Sequence, residues 1–265
     1  MAATEERRTS TCITYRTAGA HAAVITIDRP EARNAVSPEV AQGIEAALDL
    51  AEADDDVRVV VLTGAPPVFS AGADLKAIAA GRAAELSTAR GGFAGVTRRE
   101  RTKPLIAAVE GAALAGGTEI VLACDLVVAA RDARFGLPEV KRGLVAAAGG
   151  LFRLARRIPV NVAMECALTG DPVDAPAMHH HGLVNHLCEP GGALAAALAL
   201  ADRITANAPI ALRESRAIIL EGTGAPDPEA WRRSDEGAAR AFASDDVREG
   251  VAAFVEKRAP RWTGR

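Results

Sequence analysis

A chain of 265 residues with 31 basic and 34 acidic side chains, net charge −3, has no electrostatic footprint for a polyanion or an anionic membrane, so neither a nucleic-acid nor a membrane partner is expected. Aromatic residues make up only 3% of a sequence that is 49% hydrophobic, which suits Ala-rich helices and close backbones rather than a base-stacking surface. At this length folding removes roughly three quarters of the unfolded surface from water, so stability needs neither disulfides nor a metal.

Residues 1–11 read as a polar leader with a basic pair and no apolar stretch behind it, so no signal peptide is expected and a cytoplasmic location is. No apolar run approaches the ~18 residues of a spanning helix. The cysteines Cys12, Cys124, Cys166 and Cys188 are far apart with no C-x-x-C spacing, and read as reduced thiols. Val24–Asp28 is a strand that ends at Arg29–Pro30. Ser37–Pro38 opens a helix, with an N-cap hydroxyl and proline at the first helical position. Apolar residues at Val40, Ile44, Ala47, Leu48 and Ala51 carry that helix to about Asp54. Val57–Thr63 is a strand with apolar residues on both faces.

Two glycine-rich turns then follow strands and open apolar helices. The first is GAPPVFSAGADLK (64–76) and the second EGAALAGGTEIVLACD (110–125), after Leu105–Val109. A strand that passes through small residues into a helix leaves the first helical N–H groups unpaired, aimed outward with the positive end of the dipole. Two such turns side by side supply two backbone donors for one developing oxyanion. Asp74 and Lys76 sit in the turn after the first loop, as a capping acid with a surface lysine or as ligand contacts. The strand–turn–helix order recurs more weakly over 125–158, and repeated β-to-α units point to an α/β fold with right-handed crossovers. Gly81–Arg101 carries Gly91–Gly92 and the basic cluster Arg98, Arg99 and Arg101. It reads as a mobile, partly helical segment passing over a site.

Glu119 lies in a helix otherwise made of Ile, Val, Leu, Ala and Cys, where no solvated face explains it. A carboxylate there is either functional or paired with an arginine. Glu139, in FGLPEVKRG, reads alone as a first-turn acid complementing a helix dipole. One βα unit returns the chain by about the separation of Glu119 and Glu139, which allows the two carboxyls to face each other. Facing carboxyls can hold one water, one acting as base and the other as acid. His179–His181 point in different directions at a helix end, with no acidic or Cys partner at ligand spacing, so no metal site is expected. There is no G-x-S-x-G, no Walker A sequence and no G-x-G-x-x-G after a strand. Residues 193–258 read as helices broken at 207–209 and 222–227.

Taken in order, RPEARNAVS, FSAGADLK, KPLIAAVEGAALAGGTEIVLACDLVVA, ARFGLPEVKRGLVAAAGG, GLVN and FVEKRAPRW resemble the crotonase superfamily, the enoyl-CoA hydratase and isomerase group, over nearly the whole chain. The resemblance implies a crotonase-like spiral of repeated ββα units with a helical C-terminal region. It divides the chain into a spiral core at 1–192, holding the coenzyme A site and catalytic residues, and a trimerisation region at 193–265. A homotrimer or a dimer of trimers is implied. The oxyanion donors fall on the backbone N–H groups of Ala73 and Gly116, and the two hydratase glutamates on Glu119 and Glu139. Coenzyme A is implied along Ala32, Arg33 and Ala35 and along Ala71, Asp74, Leu75 and Lys76, with Lys257 approaching the nucleotide, in some members from a neighbouring subunit.

The expected activity is reversible hydration of a 2-enoyl-CoA thioester. The acyl-CoA is the partner and substrate, and no metal or redox cofactor is expected. Two rivals share the resemblance, a double-bond isomerase and the carnitinyl-CoA dehydratase branch. GGFAG (91–95) and the EKR-x-P-x-W-x-GR ending favour the latter, which commonly has Trp at the position of Ala73. A third reading is a non-catalytic acyl-CoA-binding protein. Two departures from the family pattern stand out: the usual GGG before the glutamate is Ala115–Gly116–Gly117, and the usual PGAGG turn is Ala146–Gly150 (AAAGG).

Overall fold

The computed structural model describes residues 6–265. β1 (Glu6–Ser10), β2 (Ile13–Ala18) and β3 (Ala22–Ile27) form an antiparallel meander. Residues 6–10 are therefore a strand rather than part of a leader. They are polar because they lie at the sheet edge, mostly exposed. Helix α1 (Pro38–Ala53) crosses to β4 (Val59–Gly64), which is parallel to β3 and buried along its whole length. Ser37 caps α1, its Oγ accepting the Val40 N–H. The periodic apolar stripe of α1 is buried in the main core.

Beyond the short α2 (Leu75–Ala79) the segment read as partly helical holds one 3-10 turn, Ala83–Leu86, and then a hairpin, β5 (Ser87–Thr88) and β6 (Gly92–Phe93), that the sequence does not announce. Arg90 and Arg99 both pair with Asp49 on α1, and the Gly91 N–H bonds Glu45. Those ties hold the segment as a hairpin against α1. Then β7 (Leu105–Val109), β8 (Ala112–Leu114) and α3 (Gly116–Ala123) form one ββα unit. β9 (Leu126–Ala130), β10 (Arg134–Gly136), the 3-10 turn Pro138–Arg142 and α4 (Gly150–Arg157) repeat the order. α5 (Val160–Thr169), β11 (Val173–Asp174), α6 (Ala175–His180) and β12 (His186–Cys188) complete the core. α7 (Ala193–Thr205), α8 (Pro209–Gly222), α9 (Asp227–Phe242) and α10 (Asp245–Glu256) follow.

The large sheet runs β1-β2-β3-β4-β7-β9-β12, and β11-β10-β8 forms a small second sheet. In each ββα unit the first strand joins the large sheet and the second the small one. The loop after β4 takes the same course, because Ser70 bridges Ala113 of β8. The winding is the spiral of ββα units expected from the sequence.

α7 packs directly on the large sheet. Ala193, Ala197 and Ala201 recur every fourth residue and lie against Val24, Val59, Val61, Ile106, Ala108 and Val128. Small side chains along that stripe bring the helix close to the strands. Helices α8–α10 follow it. Arg216 on α8 ties them back, bonding Asp125 at 2.9 Å beside Arg101 at 3.0 Å. The burial of Asp125 opposes ionisation, but the two guanidiniums outweigh it and hold the carboxyl below its usual value. No helix among the described residues is long and apolar enough to cross a membrane.

Candidate active site

A cleft of about 1050 Å³ opens where the two glycine-rich turns meet. Both turns are fixed from behind by buried side chains. Asn34 is fully buried with φ +54°, and its Nδ2 donates to the carbonyls of Ala65 and Val68, each at 2.7 Å. Its Oδ1 accepts the Arg29 N–H, so one amide ties the RPEARN loop to the turn after β4. The Ser70 hydroxyl, also fully buried, donates to the Asn34 carbonyl and accepts the Gly72 N–H. Thr118 does the equivalent work for the second turn, its one hydroxyl hydrogen shared between the carbonyls of Ala113 and Gly136 and its oxygen accepting the Gly136 N–H.

The turns touch backbone to backbone. Gly72 has φ +89°, and a Cβ there would lie 2.8 Å from the Gly116 nitrogen. Only glycine allows that conformation and that approach. Among the described residues neither the Ala73 N–H nor the Gly116 N–H has a hydrogen-bond acceptor in the protein, and both residues line the cleft. Gly116 is the first residue of α3, so its N–H belongs to the unpaired set at the positive end of the helix. Ala115 before it has φ +52° and ψ −126°, a conformation that strains any residue with a Cβ.

Glu119 is 4% exposed and lines the cleft on α3. Its Oε1 accepts the Gly150 N–H at 2.9 Å, so the altered Ala146–Gly150 turn still grips the carboxyl. Burial raises its pKa, the N–H groups of Gly150 and Ala148 pull it down, and the nearby charge of Glu139 raises it further; the net direction is up. The hydrogen bond that Glu119 receives comes from a backbone N–H and not from an arginine, though the charge of Arg153 also acts to lower its pKa. Glu139, in the 3-10 turn after β10, is half-buried on the same cleft, and its pKa is also raised by burial, against the opposing charge of Arg142. Its Oε2 is buried with no hydrogen-bond partner among the described residues. The separation read from the sequence brings both carboxyls to one cleft, where each senses low polarity.

Ala32, Arg33, Ala35, Ala71, Asp74, Leu75 and Lys76 all line this cleft. Asp74 is a capping acid: its carboxylate accepts the Lys76 N–H at 2.9 Å and a 2.7 Å bond from Arg29. Burial would raise the pKa of Asp74, yet these donors hold it below the ordinary value. Lys257 ends α10 in a left-handed conformation and is exposed, away from the cleft lining of its own chain. His179 Nδ1 pairs with the Val184 carbonyl at 2.7 Å, a local tie at the end of α6. Sequence reasoning passed over Asn34, Phe93 and Arg153. The Phe93 ring lies over Gly116, so close that a Cβ there would meet ring carbons at 2.5 Å. Arg153 on α4 donates to the Ala148 carbonyl at 3.3 Å and the Thr97 carbonyl at 2.6 Å, fastening the turn behind Glu119 to the hairpin segment. The available signal was a basic residue in the first turn of the helix that follows the glycine pair Gly149–Gly150.

Residues 17–265 match the enoyl-CoA hydratase/isomerase family. Enoyl-CoA hydratase EchA19 of Mycobacterium tuberculosis is 41% identical over 252 residues, covering 92% of this chain and 94% of its own. Mevalonyl-coenzyme A hydratase SIDH of Beauveria bassiana is 41% identical over 255 residues, 91% of each chain. Among solved structures, an enoyl-CoA hydratase of Mycobacterium tuberculosis superposes with a TM-score of 0.92 at 49% identity, over 96% of this chain and 99% of that one.

Proposed function

The chain belongs to the enoyl-CoA hydratase/isomerase family, and on that premise we propose that it is an enoyl-CoA hydratase, adding water reversibly across the 2,3-double bond of a 2-enoyl-CoA thioester. The observation that carries this reading is the convergence on one cleft of two unpaired backbone donors, Ala73 and Gly116, with two carboxyls of raised pKa. The thioester oxygen sits between the two N–H groups. Ionised Glu119 takes a proton from water as its oxygen bonds C3. The π pair moves to the thioester oxygen, where the donors hold the enolate, and protonated Glu139 delivers a proton to C2. One such donor is typically worth about 3 kcal/mol of barrier. The electron pair has a place to go without a metal or a redox cofactor.

Coenzyme A runs along Ala32, Arg33, Ala35, Ala71, Leu75 and Lys76, largely against main-chain groups, with Asp74 shaping the turn. The exposed apolar residues of α8–α10, among them Ile219, Trp231, Phe242 and Phe254, support assembly into trimers, which would also bring a neighbour's Lys257 toward the nucleotide. The grip of Gly150 on Glu119 weighs against a binding protein that has lost catalysis. Two carboxyls on the cleft weigh against an isomerase, for which one suffices. The test is the loss of conjugated-thioester absorbance with crotonyl-CoA. Wild type is expected to turn over, and both Glu119→Gln and Glu139→Gln to lose at least about a hundredfold in kcat. Full hydration by either variant would sink the two-carboxylate mechanism.

A further inference from the structure

Four arginines lie between residues 90 and 101, and three of them are accounted for. Arg90 and Arg99 pair with Asp49, and Arg101 pairs with Asp125. Arg98 differs: it lines the cleft and has no carboxylate partner among the described residues. Its stem lies across the α-carbon of Gly92, where φ is +66° and any Cβ would meet Arg98 Cγ at 2.8 Å. Gly92 therefore clears the path by which this side chain reaches the cleft.

The segment holding Arg98 belongs to the reacting end of the cleft. Phe93, one residue from Gly92, covers Gly116. The Thr97 carbonyl is bonded by Arg153, which also holds Ala148 in the turn that grips Glu119. The coenzyme-facing segments are fastened elsewhere, by Asn34, Ser70 and Asp74. The lining there combines apolar Leu114, Leu144, Val145, Ala147 and Ala148 with Thr97 and with Arg142, whose charge acts on Glu139 instead. An unpaired guanidinium at the edge of a largely apolar pocket suits a carboxylate, which it receives in two parallel hydrogen bonds.

Resting on the hydratase reading, we propose that the acyl group of the substrate carries a distal carboxylate and that Arg98 recognises it. The same charge repels a trimethylammonium-bearing acyl chain, which sets this pocket apart from one built for carnitinyl-CoA. The experiment is calorimetric binding of glutaryl-CoA and pentanoyl-CoA, equal in chain length and different at the terminus, to the wild type and to Arg98→Gln and Arg98→Lys. Wild type is expected to prefer glutaryl-CoA by roughly ten- to a hundredfold, Arg98→Gln to lose the preference, and Arg98→Lys to retain part of it. Equal affinity in wild type, or a preference that survives Arg98→Gln, overturns the proposal. Because Arg98 is exposed, a changed melting temperature is not expected, and the lysine variant keeps the test open if glutamine disturbs the loop. Binding is read without turnover, so failure to hydrate crotonyl-CoA would count against the hydratase reading separately.

Discussion

Glu119 and Gly150, thirty-one residues apart, are joined by a 2.9 Å hydrogen bond from the Gly150 N–H to the buried carboxyl. A Cβ at position 150 would lie 2.9 Å from Glu119 Cγ and 3.0 Å from its Oε1. Gly150→Ala therefore pushes the carboxyl off its position without removing it. A displacement of this size is expected to lower kcat on the order of ten- to a hundredfold with KM little changed. Steady-state kinetics on crotonyl-CoA check this, and a parallel fall in melting temperature of many degrees would point to unfolding instead.

Burial, with the Glu139 charge adding to it, holds the Glu119 carboxyl above its ordinary 4.5, and burial does the same for Glu139. A carboxyl raised on folding binds its proton more tightly in the native state. Its stabilisation is complete below the unfolded value and is lost as pH rises through the folded one. Glu119→Gln is accordingly expected to melt higher than wild type at pH 7 and to show a flatter decline as pH rises from 4.5. Thermal melts across that range decide it. In the rate, the proposed mechanism predicts an acid limb of kcat/KM above the ordinary carboxylate range, because it needs Glu119 ionised to take the proton from water. The two carboxyls interact, so that limb belongs to the pair.

Arg153 spans the carbonyls of Ala148 and Thr97. Arg153→Met removes both bonds and leaves two carbonyls without their charged donor. Loss of hydrogen bonds from a charged group at about 1.5–3 kcal/mol predicts a tenfold or greater fall in kcat, through a loosened Glu119 rather than weaker coenzyme binding. A product inhibition constant for free coenzyme A that changes together with kcat would contradict this.

Ala115 holds φ +52° and ψ −126° immediately before the Gly116 donor. Such a conformation costs on the order of 1–3 kcal/mol for a residue with a Cβ, and glycine relieves it at a smaller entropic cost. Ala115→Gly is expected to raise the denaturation midpoint by about 1 kcal/mol of stability with activity retained. A lower midpoint would show that packing of the methyl against Gly72 outweighs the strain.

The spiral core was legible because its signals are local: the Ser37–Pro38 start of α1, the doubly apolar β4 and the glycine turns each specify a structure within a few residues. Glu119 was legible for the opposite reason, a charge in an apolar helix. Arg153 and Asn34 were not, because their partners lie 56 and 34 residues away and only tertiary packing brings them together. The course of 6–10 was misread since an exposed edge strand need not show alternation. The hairpin at 87–93 was missed because two-residue strands carry no period at all. Asp74 illustrates a further limit: a capping acid and a ligand contact look the same in sequence, and the structure shows the cap, through the 2.9 Å bond from the Lys76 N–H, on a residue that also lines the cleft.

The two donors at Ala73 and Gly116 belong to the main chain, and this divides how the protein can vary over generations. Exchanging one side chain for another at position 73 leaves its N–H in place, proline excepted. The donor at position 73 is thus shielded from most point mutations, whereas Gly72 and Gly116, where a Cβ would collide with its surroundings, are not. The roles proposed for positions 98, 119 and 139 belong to side chains and have no such shelter. A lineage could exchange them to accept a new acyl group or perform a new proton transfer while keeping the two glycine-rich turns intact.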